Sequence, residues 1–507
     1  MRPTAMSIAV LWVPSCRARS SRTARATGRR EHGGLVPRVP LVASMHCPFG
    51  ADGNGTAPDS GSHTSHGTTA SGLLSVILSL TLLVGLIGCS RQGPPVTPSP
   101  TARPAPAAPP TLATAPTETN WPRFRGPGGL GIAGGAEAPV SWDGPSGKGV
   151  LWKSPVPLPG NSSPVLWGEC VFLTGATEKQ RQVYGYGTAN GTLLWTAEVA
   201  GIAGSPTEAP EVGSDTGYAA PTQAADAHRV YSLFANGDLA CHDHEGKPVW
   251  ARSLGMPDNV YGHASSLLVW QELLVVLMDQ GGAEEGSSKL MALSCATGDV
   301  VWEAARNVPN SWATPIVIQA GGREQLITCA NPWVIAYSPA DGAELWRIAV
   351  LGGDVAASPV YAGGRVLVAN VNGRAAAIDP TGSGELPTES LLWSFEESLP
   401  DTCSPLATDR FVFLLTSVGI LTCLDAATGV KLWDHDFLTL FRSSPSLCAD
   451  RLYLLGQDGQ MFIVRAGDRF EQLGTAALGE PSTCSPAFSG GRIYLRGEQN
   501  LYCVGEG

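Results

Sequence analysis

The sequence predicts an all-β protein, an eight-bladed β-propeller of four-stranded blades closed by an N-terminal strand. Three observations lead to this prediction. A phrase with a Gly three or four residues before a Trp recurs along the chain, successive Trp residues of the phrase are 40 to 55 residues apart, and short apolar segments fill the intervals. Repeats of this length are typical of propeller blades or of helical pairs.

The Trp residues mark the units, and a degenerate eighth copy follows around Leu473. We expect each Trp to lie on an outer strand and to pack against the neighbouring blade, because a large flat ring buries much apolar area where two sheets meet. The seven residues predicted to dock in this way are Trp152, Trp195, Trp250, Trp302, Trp346, Trp393 and Trp433.

The segments between the Trp residues read as strands rather than helices. RVYSLFANG, RVLVANVNG, RFVFLLTS and RIYLRGE are rich in β-branched and aromatic residues, are bounded by turn residues and show no 3.6-residue period. In the phrase CLDAATGVKLWDHD, we expect Asp425 to bind the backbone of a tight turn and Gly429 to supply its positive φ. About four strands per unit and eight units predict a propeller.

A second landmark, usually Ser-Pro, recurs 10–11 residues after most of the Trp residues. Small residues suit an innermost strand, where eight strands crowd about one axis. The residues just before this landmark should stand near one mouth of the axial channel, where Tyr, His, Trp and Arg side chains could hold a flat anionic ligand. The alternative is a solvated funnel lined by variable residues. The residues predicted to form this ring are Asn161, Tyr218, His263, Trp312, Ala356, Thr402, Arg442 and Thr483. The candidate ligand contacts among them are Tyr218, His263, Trp312 and Arg442.

The chain divides into five regions by composition. Residues 1–72 are Arg-rich or of low complexity, residues 73–89 contain an uncharged apolar run, and residues 90–119 are rich in Pro, Ala and Thr. A lead-in segment, residues 120–148, precedes the propeller at residues 149–507. We expect residues 149–156 to form the outer strand of the last blade, and we expect the lead-in segment to pair with no blade.

The apolar run is too short for a transmembrane helix but suits the core of a secretion signal. It ends in Leu-Ile-Gly-Cys89, which resembles the lipobox of bacterial lipoproteins. This resemblance implies lipidation at Cys89, and Ser90 favours the outer membrane by analogy. A plain signal peptide with an incidental Cys is the alternative. With the Pro-rich linker as a tether, the pattern predicts an exported, periplasm-facing lipoprotein.

Charge excludes some partners. The formal net charge is -11, but residues 1–88 carry +5 and the remainder -16. Such an acidic body argues against binding nucleic acid, because phosphate contacts need clustered Lys and Arg. We therefore expect no nucleic-acid partner and a monomeric propeller.

Metal and disulfide chemistry are not expected. Cys241, Cys423 and Cys503 occupy a slot that holds Ala in sister repeats, so Cys acts there as a small apolar residue. The segment CHDH at 241–244 offers three possible ligands, but neighbouring residues of a strand face opposite sides, and a turn follows.

Three insertions are predicted to lie on one face of the propeller. They occupy residues 175–182, 201–217 and 279–288, in three adjacent blades, and together they form an acidic rim. Long loops are where function usually resides. We therefore expect a protein partner to bind the long-loop face of blades 1–3.

The repeat, as seen in CLDAATGVKLW, resembles the tryptophan-docking repeat of pyrroloquinoline-quinone (PQQ) propellers, and the lead-in NWPRFRGPGGLG resembles the opening of PQQ-like repeat proteins. It is similar to planctomycete-type PQQ-like repeat proteins and to the propeller lipoprotein of the outer-membrane barrel-assembly machinery. That lipoprotein implies a non-enzymatic scaffold without cofactor. The alternative is a PQQ-dependent dehydrogenase of alcohols or sugars, although the sequence has neither the Cys-Cys pair nor the C-x-x-C-H motif of such enzymes.

Overall fold

The computed structural model describes residues 120–135 and 137–506, which form a ring of eight antiparallel sheets. The predicted eight-bladed, all-β propeller is confirmed. Residues 1–119, including Cys89 and the linker, lie outside the described residues. No helix in the described part of the chain has the length and apolarity needed to cross a membrane. The helical elements described there are short 3-10 turns, η1 (Pro127–Gly129), η2 (Ala283–Glu285) and η3 (Thr388–Ser390).

Two strands precede the first blade, β1 (Ile132–Ala133) and β2 (Val150–Pro155). Blade 1 contains β3 (Val165–Trp167), β4 (Cys170–Ala176), β5 (Arg181–Gly187) and β6 (Leu193–Glu198). Blade 2 contains β7 (Ala224–Ala225), β8 (Arg229–Leu233), β9 (Asp238–Asp243) and β10 (Pro248–Ser253). Blade 3 contains β11 (Leu268–Trp270), β12 (Leu273–Met278), β13 (Lys289–Ser294) and β14 (Val300–Ala305). Blade 4 contains β15 (Ile316–Ala320), β16 (Arg323–Ala330), β17 (Trp333–Tyr337) and β18 (Glu344–Ala349).

Blade 5 contains β19 (Val360–Ala362), β20 (Arg365–Ala369), β21 (Ala375–Ile378) and β23 (Leu391–Phe395), and the inserted strand β22 (Gly384–Glu385) pairs with β18 of blade 4. Blade 6 contains β24 (Leu406–Ala407), β25 (Phe411–Leu415), β26 (Ile420–Asp425) and β27 (Lys431–Asp436). Blade 7 contains β28 (Ser446–Cys448), β29 (Arg451–Leu455), β30 (Gln460–Arg465) and β31 (Gln472–Ala477). Blade 8 contains β32 (Ala487–Ser489), β33 (Arg492–Arg496), β34 (Asn500–Val504) and the early strand β2.

The ring closes through its two ends, as the sequence predicted. Strand β2 pairs antiparallel with β34, so that Trp152 lies opposite Cys503 and Pro155 opposite Asn500. The first propeller strand therefore completes the last blade. An open sheet edge, which would invite pairing with another chain, is thereby avoided at this point.

The outer hairpin of every blade has the same irregularity. Each pair of third and fourth strands shows one register shift, in blade 6 between Cys423 and Leu424. A bulge of this kind changes the direction of a neighbouring side chain.

The turn before the blade 6 outer strand forms as predicted. Oδ1 of Asp425 accepts hydrogen bonds from the backbone N–H groups of Ala427 and Thr428, and Gly429 has a φ of 72°.

The lead-in segment, contrary to expectation, pairs with the propeller and enters its axis. Trp121 exchanges two backbone hydrogen bonds with Leu166 of blade 1, and Ile132 of β1 pairs in parallel with Leu447 of blade 7. Trp121 is buried, with its ring centroid 5.4 Å from that of Phe488. The prediction failed because the segment's Gly and Pro residues read as a loop, although its Trp and Arg residues are core residues of the ring.

Two arginines extend the lead-in segment across the channel. The Nη2 atom of Arg123 donates to the carbonyl of Pro315 in blade 4, at 2.5 Å. The Nη2 atom of Arg125 donates to the carbonyl of Pro405 in blade 6, at 2.7 Å. Both side chains are buried. The segment thus spans the ring from blade 1 to blade 7 and closes the channel at one face.

The lead-in segment also supplies a Trp that blade 7 lacks. The docking position of blade 7, predicted near Leu473, is occupied by Gly474, which pairs with Ile463 just before the register shift. A Cβ on Gly474 would come within 2.5 Å of the Val140 carbonyl oxygen of the lead-in segment. Trp142 is buried in the core that blades 7 and 8 share. A side chain added at Gly149, the turn glycine of blade 8, would come within 3.0 Å of the Trp142 Cβ. Trp142 therefore fills the seam between blades 7 and 8.

Replacing Trp121 with Ala should destabilise the whole propeller, because the ring is removed from a core made by three parts of the chain. We expect the free energy of unfolding to fall by about 3–5 kcal/mol, as for other buried aromatic residues. Urea denaturation followed by circular dichroism measures it. Leu438→Ala, at a side chain that is 87% exposed, is the control and should change stability by less than about 0.5 kcal/mol. Equal stability of the two variants would show that the lead-in segment contributes nothing to the core.

Candidate functional site

A cavity of about 500 Å³ opens at the end of the axial channel opposite the lead-in segment. We call this side of the propeller the cavity face. It carries the loops that enter the innermost strands and the loops that join the second and third strands of each blade. Each blade contributes one equivalent residue to the lining of the cavity, and these eight are Asn161, Ala220, Ala264, Trp312, Ala356, Thr402, Arg442 and Thr483.

The structure corrects two of the residues expected in this ring. Tyr218 lies in a separate groove beside Glu178, and His263 is buried outside the cavity. Blades 2 and 3 lack the Ser-Pro pair that marks the ring position in the sequence. The predicted ring residue was therefore wrong by two positions in blade 2 and by one in blade 3, where Ala220 and Ala264 line the cavity. Burial lowers the pKa of His263 to about 4, which keeps its imidazole neutral at neutral pH.

Below the mouth, the channel narrows to a neck lined by eight hydroxyl side chains. The backbone N–H of each blade donates to the hydroxyl of the next blade at 2.9–3.0 Å, and the last bond returns to blade 1. All eight residues are buried. In order, the bonds run from Ser163 to Thr222, to Ser266, to Thr314, to Ser358, to Ser404, to Ser444, to Ser485 and back to Ser163.

The floor of the neck is Phe124 of the lead-in segment. Its two neighbours in the chain, Arg123 and Arg125, are buried and form no salt bridge within the described ranges. Burial lowers the pKa of both guanidinium groups to about 9, because a charged group loses its hydration there. The cavity is therefore a blind cup rather than an open tunnel.

An aromatic pair forms one wall of the cup. Trp312 and Tyr261 pack edge to face, with ring centroids 5.1 Å apart and planes at 74°. The indole N–H of Trp312 donates to Oδ1 of Asn259 at 2.8 Å, and the same oxygen accepts the backbone N–H of Tyr261. The orientation of the indole is thus fixed by its edge, and its half-buried ring faces the cavity.

The charges at the mouth are mainly negative. Three carboxylates line it, those of Asp215, Asp354 and Asp401, against the single guanidinium of Arg442. Arg442 lies 3.7 Å from Asp215, and both are partly exposed. Asp401 accepts hydrogen bonds from the Thr402 backbone N–H and from a Ser hydroxyl. The mouth therefore attracts positive charge.

The loops around the cavity expose apolar side chains. Leu438 is 87% exposed and has a φ of 55°, a conformation that non-Gly residues rarely adopt. Buried Phe441 anchors the same loop, which binds the neighbouring loop through a hydrogen bond from the Phe441 N–H to the Ser417 carbonyl. Other exposed apolar side chains of the cavity face are Met256, Val260, Val371, Val418 and Leu440. Apolar groups gathered on loops of one face are typical of protein-binding surfaces.

Two of the acidic insertions face each other across the groove that contains Tyr218. Residues 177–181 form one side and residues 206–210 the other. Beneath them, Arg181 forms a salt bridge with buried Asp238 at 3.0 Å. In the third insertion, Asp279 is fully buried and pairs with Arg306 at 2.7 Å. Two of the insertions therefore contain a residue of an internal ion pair, Arg181 in the first and Asp279 in the third.

Six of the seven docking tryptophans contact the next blade in the same way. The indole N–H donates to a backbone carbonyl in the adjacent turn. In five of the six contacts a glycine of that turn leaves room for the ring; a Cβ on Gly429, for example, would approach the Trp393 ring to 2.6 Å. The six pairs are Trp152 with Thr188, Trp195 with His244, Trp250 with Cys295, Trp302 with Pro339, Trp393 with Ala426, and Trp433 with Gly467.

Trp346 is the exception. Its indole N–H donates to Oε1 of Gln325 in its own blade, at 2.6 Å. The amide nitrogen of Gln325 donates in turn to the Pro380 carbonyl of blade 5. The inserted strand β22 lies beside β18 there, so the contact between the blades passes through a side chain.

The segment CHDH at 241–244 serves the blade seam. His242 is buried and lies over Trp195, with centroids 6.3 Å apart and planes at 28°. The carbonyl of His244 accepts the indole N–H of the same Trp. In residues 120–135 and 137–506, no three His, Cys, Asp or Glu side chains are placed to hold a metal ion together. None of the nine cysteines of this part forms a disulfide, and eight of them are buried.

The fold and its docking repeat define the protein as an eight-bladed propeller of PQQ-like repeats. The sequence model of the family described as outer membrane protein assembly factor BamB matches residues 124–282 and 183–435, and the chain belongs to that family. No curated protein matches its sequence significantly.

Solved structures share the fold at low sequence identity. BamB from Moraxella catarrhalis is 16% identical, with a TM-score of 0.52 over 69% of this chain and 98% of that one. The quinohemoprotein alcohol dehydrogenase from Comamonas testosteroni is 13% identical, with a TM-score of 0.57 over 78% and 82%. A europium-containing methanol dehydrogenase is 11% identical, with a TM-score of 0.58 over 76% and 91%. At these identities the likeness shows the fold alone.

The hydroxyl ring should be sensitive to loss of a single oxygen. Ser404→Ala leaves the buried N–H of Ser358 without its acceptor, and we expect the free energy of unfolding to fall by about 1–3 kcal/mol. Ser404→Thr keeps the hydroxyl, as Thr222 and Thr314 do in two other blades, and should lose clearly less. Urea denaturation of both variants measures the difference. Equal losses would mean that space at this position matters and the hydrogen bond does not.

Proposed function

We propose that the protein is a non-enzymatic lipoprotein of the cell envelope whose propeller is a protein-binding scaffold. The observation that carries this proposal is the cavity face, where exposed apolar loops surround an acidic cup. Membership of the BamB family supports it. On this proposal the chain is exported, is anchored by lipid at Cys89 in the outer membrane, and faces the periplasm as a monomer.

The partner surface of this proposal is the long-loop face of blades 1–3, extended by the apolar loops of blades 5–7. Val260 stands in blade 3, and Val418 and Leu438 stand on the other side of the cup. Their exposed fractions are 65%, 62% and 87%. The apolar side chains supply area that a partner can bury, and the acidic residues beside them favour partners of complementary charge.

A PQQ dehydrogenase is the competing class, and the cup does not fit its cofactor. PQQ is a flat tricarboxylate, whereas the mouth carries three carboxylates and one guanidinium. That guanidinium, on Arg442, already lies near Asp215. Like charges would repel the cofactor, and burying them together is unfavourable. We therefore derive no redox step for this site.

Site-specific photo-crosslinking tests the partner surface. A photoreactive residue at Leu438 or Val260 should crosslink to defined envelope proteins in the source cells. Val301, 55% exposed on the outermost strand of blade 3, is the matched control and should crosslink weakly. Crosslinks of equal strength at the three positions, or at Val301 alone, would contradict the proposed surface.

The lipid anchor is tested by cell fractionation. Cys89→Ala should move the protein from the membrane fraction to the soluble periplasmic fraction, because anchoring of this kind requires the acyl chains. Cys170→Ala, at a half-buried free thiol of the propeller, is the control and should leave the protein with the membranes. Continued sedimentation of Cys89→Ala with membranes would argue against lipidation at this residue.

A further inference from the structure

The cup at the cavity face combines the two features that bind organic cations. One is an aromatic wall of fixed orientation, and the other is an excess of carboxylates at the rim. A cation held over an indole face is attracted by the ring quadrupole, and the attraction grows when water is excluded. The floor at Phe124 closes the cup and limits its contact with bulk water.

The aromatic wall is already organised for such a contact. Trp312 uses its N–H to bind Asn259 and packs at 74° against the Tyr261 ring, so neither group needs to move when a ligand arrives. The half-buried side chain of Trp312 lines the cavity. A preorganised ring loses little entropy on binding, which favours affinity.

The carboxylates at the mouth of the cup differ in whether another residue already binds them. Asp354 is exposed at the rim, and its carboxylate has no hydrogen bond or ion pair with any residue in 120–135 or 137–506. Asp215 has only a long, partly exposed contact with Arg442. Asp354 is therefore the anion most available to a cationic ligand, and Asp215 can be shared.

The neck does not offer an alternative site for a large ligand. Each of its eight hydroxyls is held as the acceptor of a backbone N–H from the preceding blade. A volume of about 500 Å³ at the mouth is in the range of cavities that bind small ligands. It accommodates a long basic side chain presented by a larger molecule.

We propose that the cup receives an arginine or lysine side chain of the protein partner, stacked on Trp312 and paired with Asp354. This inference rests on the proposed scaffold function and gives the chemistry of its central contact. The exposed apolar loops then surround the basic side chain in the complex. A basic residue ringed by apolar contacts is the pattern expected of a partner surface for this face.

The test uses the full-length protein and a labelled five-residue peptide, acetyl-Gly-Gly-Arg-Gly-Gly-amide. The matched peptide carries citrulline, which has nearly the shape of arginine without its charge. Fluorescence anisotropy at low salt should show tighter binding of the arginine peptide. Asp354→Asn and Trp312→Leu should each weaken it by about fivefold, as expected for loss of one charge pair or one cation–π contact.

Asp468→Asn controls for general attraction to an acidic protein. Asp468 is exposed in the turn before the outer strand of blade 7, away from the cavity face, and its loss should change peptide binding by less than about twofold. Equal weakening by Asp354→Asn and Asp468→Asn would overturn the proposal, and so would equal binding of the two peptides. Because Asp354 is exposed, its substitution tests the proposal even if Trp312→Leu fails to fold.

The same Asp354→Asn substitution separates this inference from the scaffold proposal. If crosslinking from Leu438 persists in Asp354→Asn and the peptides are not distinguished, the scaffold stands and the basic side chain is excluded. If the arginine peptide is distinguished but Leu438 gives no crosslinks, the cation site stands and the scaffold proposal fails. Reduced crosslinking together with peptide discrimination supports both.

Discussion

The circular series of hydrogen bonds between the innermost strands is the constraint on which the rest of the propeller depends. Each buried N–H near the axis points around the ring and would be costly without an acceptor, so every blade must offer a hydroxyl to its neighbour. Only Ser and Thr place a hydroxyl that close to the backbone. Because the bond from Ser485 to Ser163 closes the circle, the first and last blades are held at the same radius as all the others.

This constraint also decides where ligand chemistry is possible. The hydroxyls of the neck serve the architecture, and their replacement would disturb neighbouring blades. The mouth is different, because its side chains come from loops that leave the strands unchanged. Trp312 and Asp354 belong to those loops and are free to suit a partner. The protein thus has only Ser and Thr at the equivalent positions of the neck, whereas the residues at the mouth differ from blade to blade.

The sequence was sufficient for the fold, because a docking Trp recurs in seven of the eight blades. The sequence was insufficient where the position of a residue depends on the exact strand register or on contacts with distant parts of the chain. Tyr218 and His263 were misplaced because their blades lack the Ser-Pro pair. Trp121 and Trp142 could not be assigned to the core, since their partners lie in distant blades and nothing local in a Gly-rich segment reveals them. No sequence pattern marks Asp354 as a residue of the mouth, because its place there depends on which loops meet in the folded chain.

The path of the lead-in segment determines how the propeller bears mechanical load. Force arriving from the preceding residues is first met at Asn120, whose side chain accepts a hydrogen bond from the Gly168 N–H, and at the paired backbone of Trp121. Arg123 then binds blade 4 and Arg125 binds blade 6. Strand β2, which closes the last blade, lies beyond all of these attachments. A pull on the chain before Asn120 is therefore spread over several blades before it reaches the strand whose loss would open the ring.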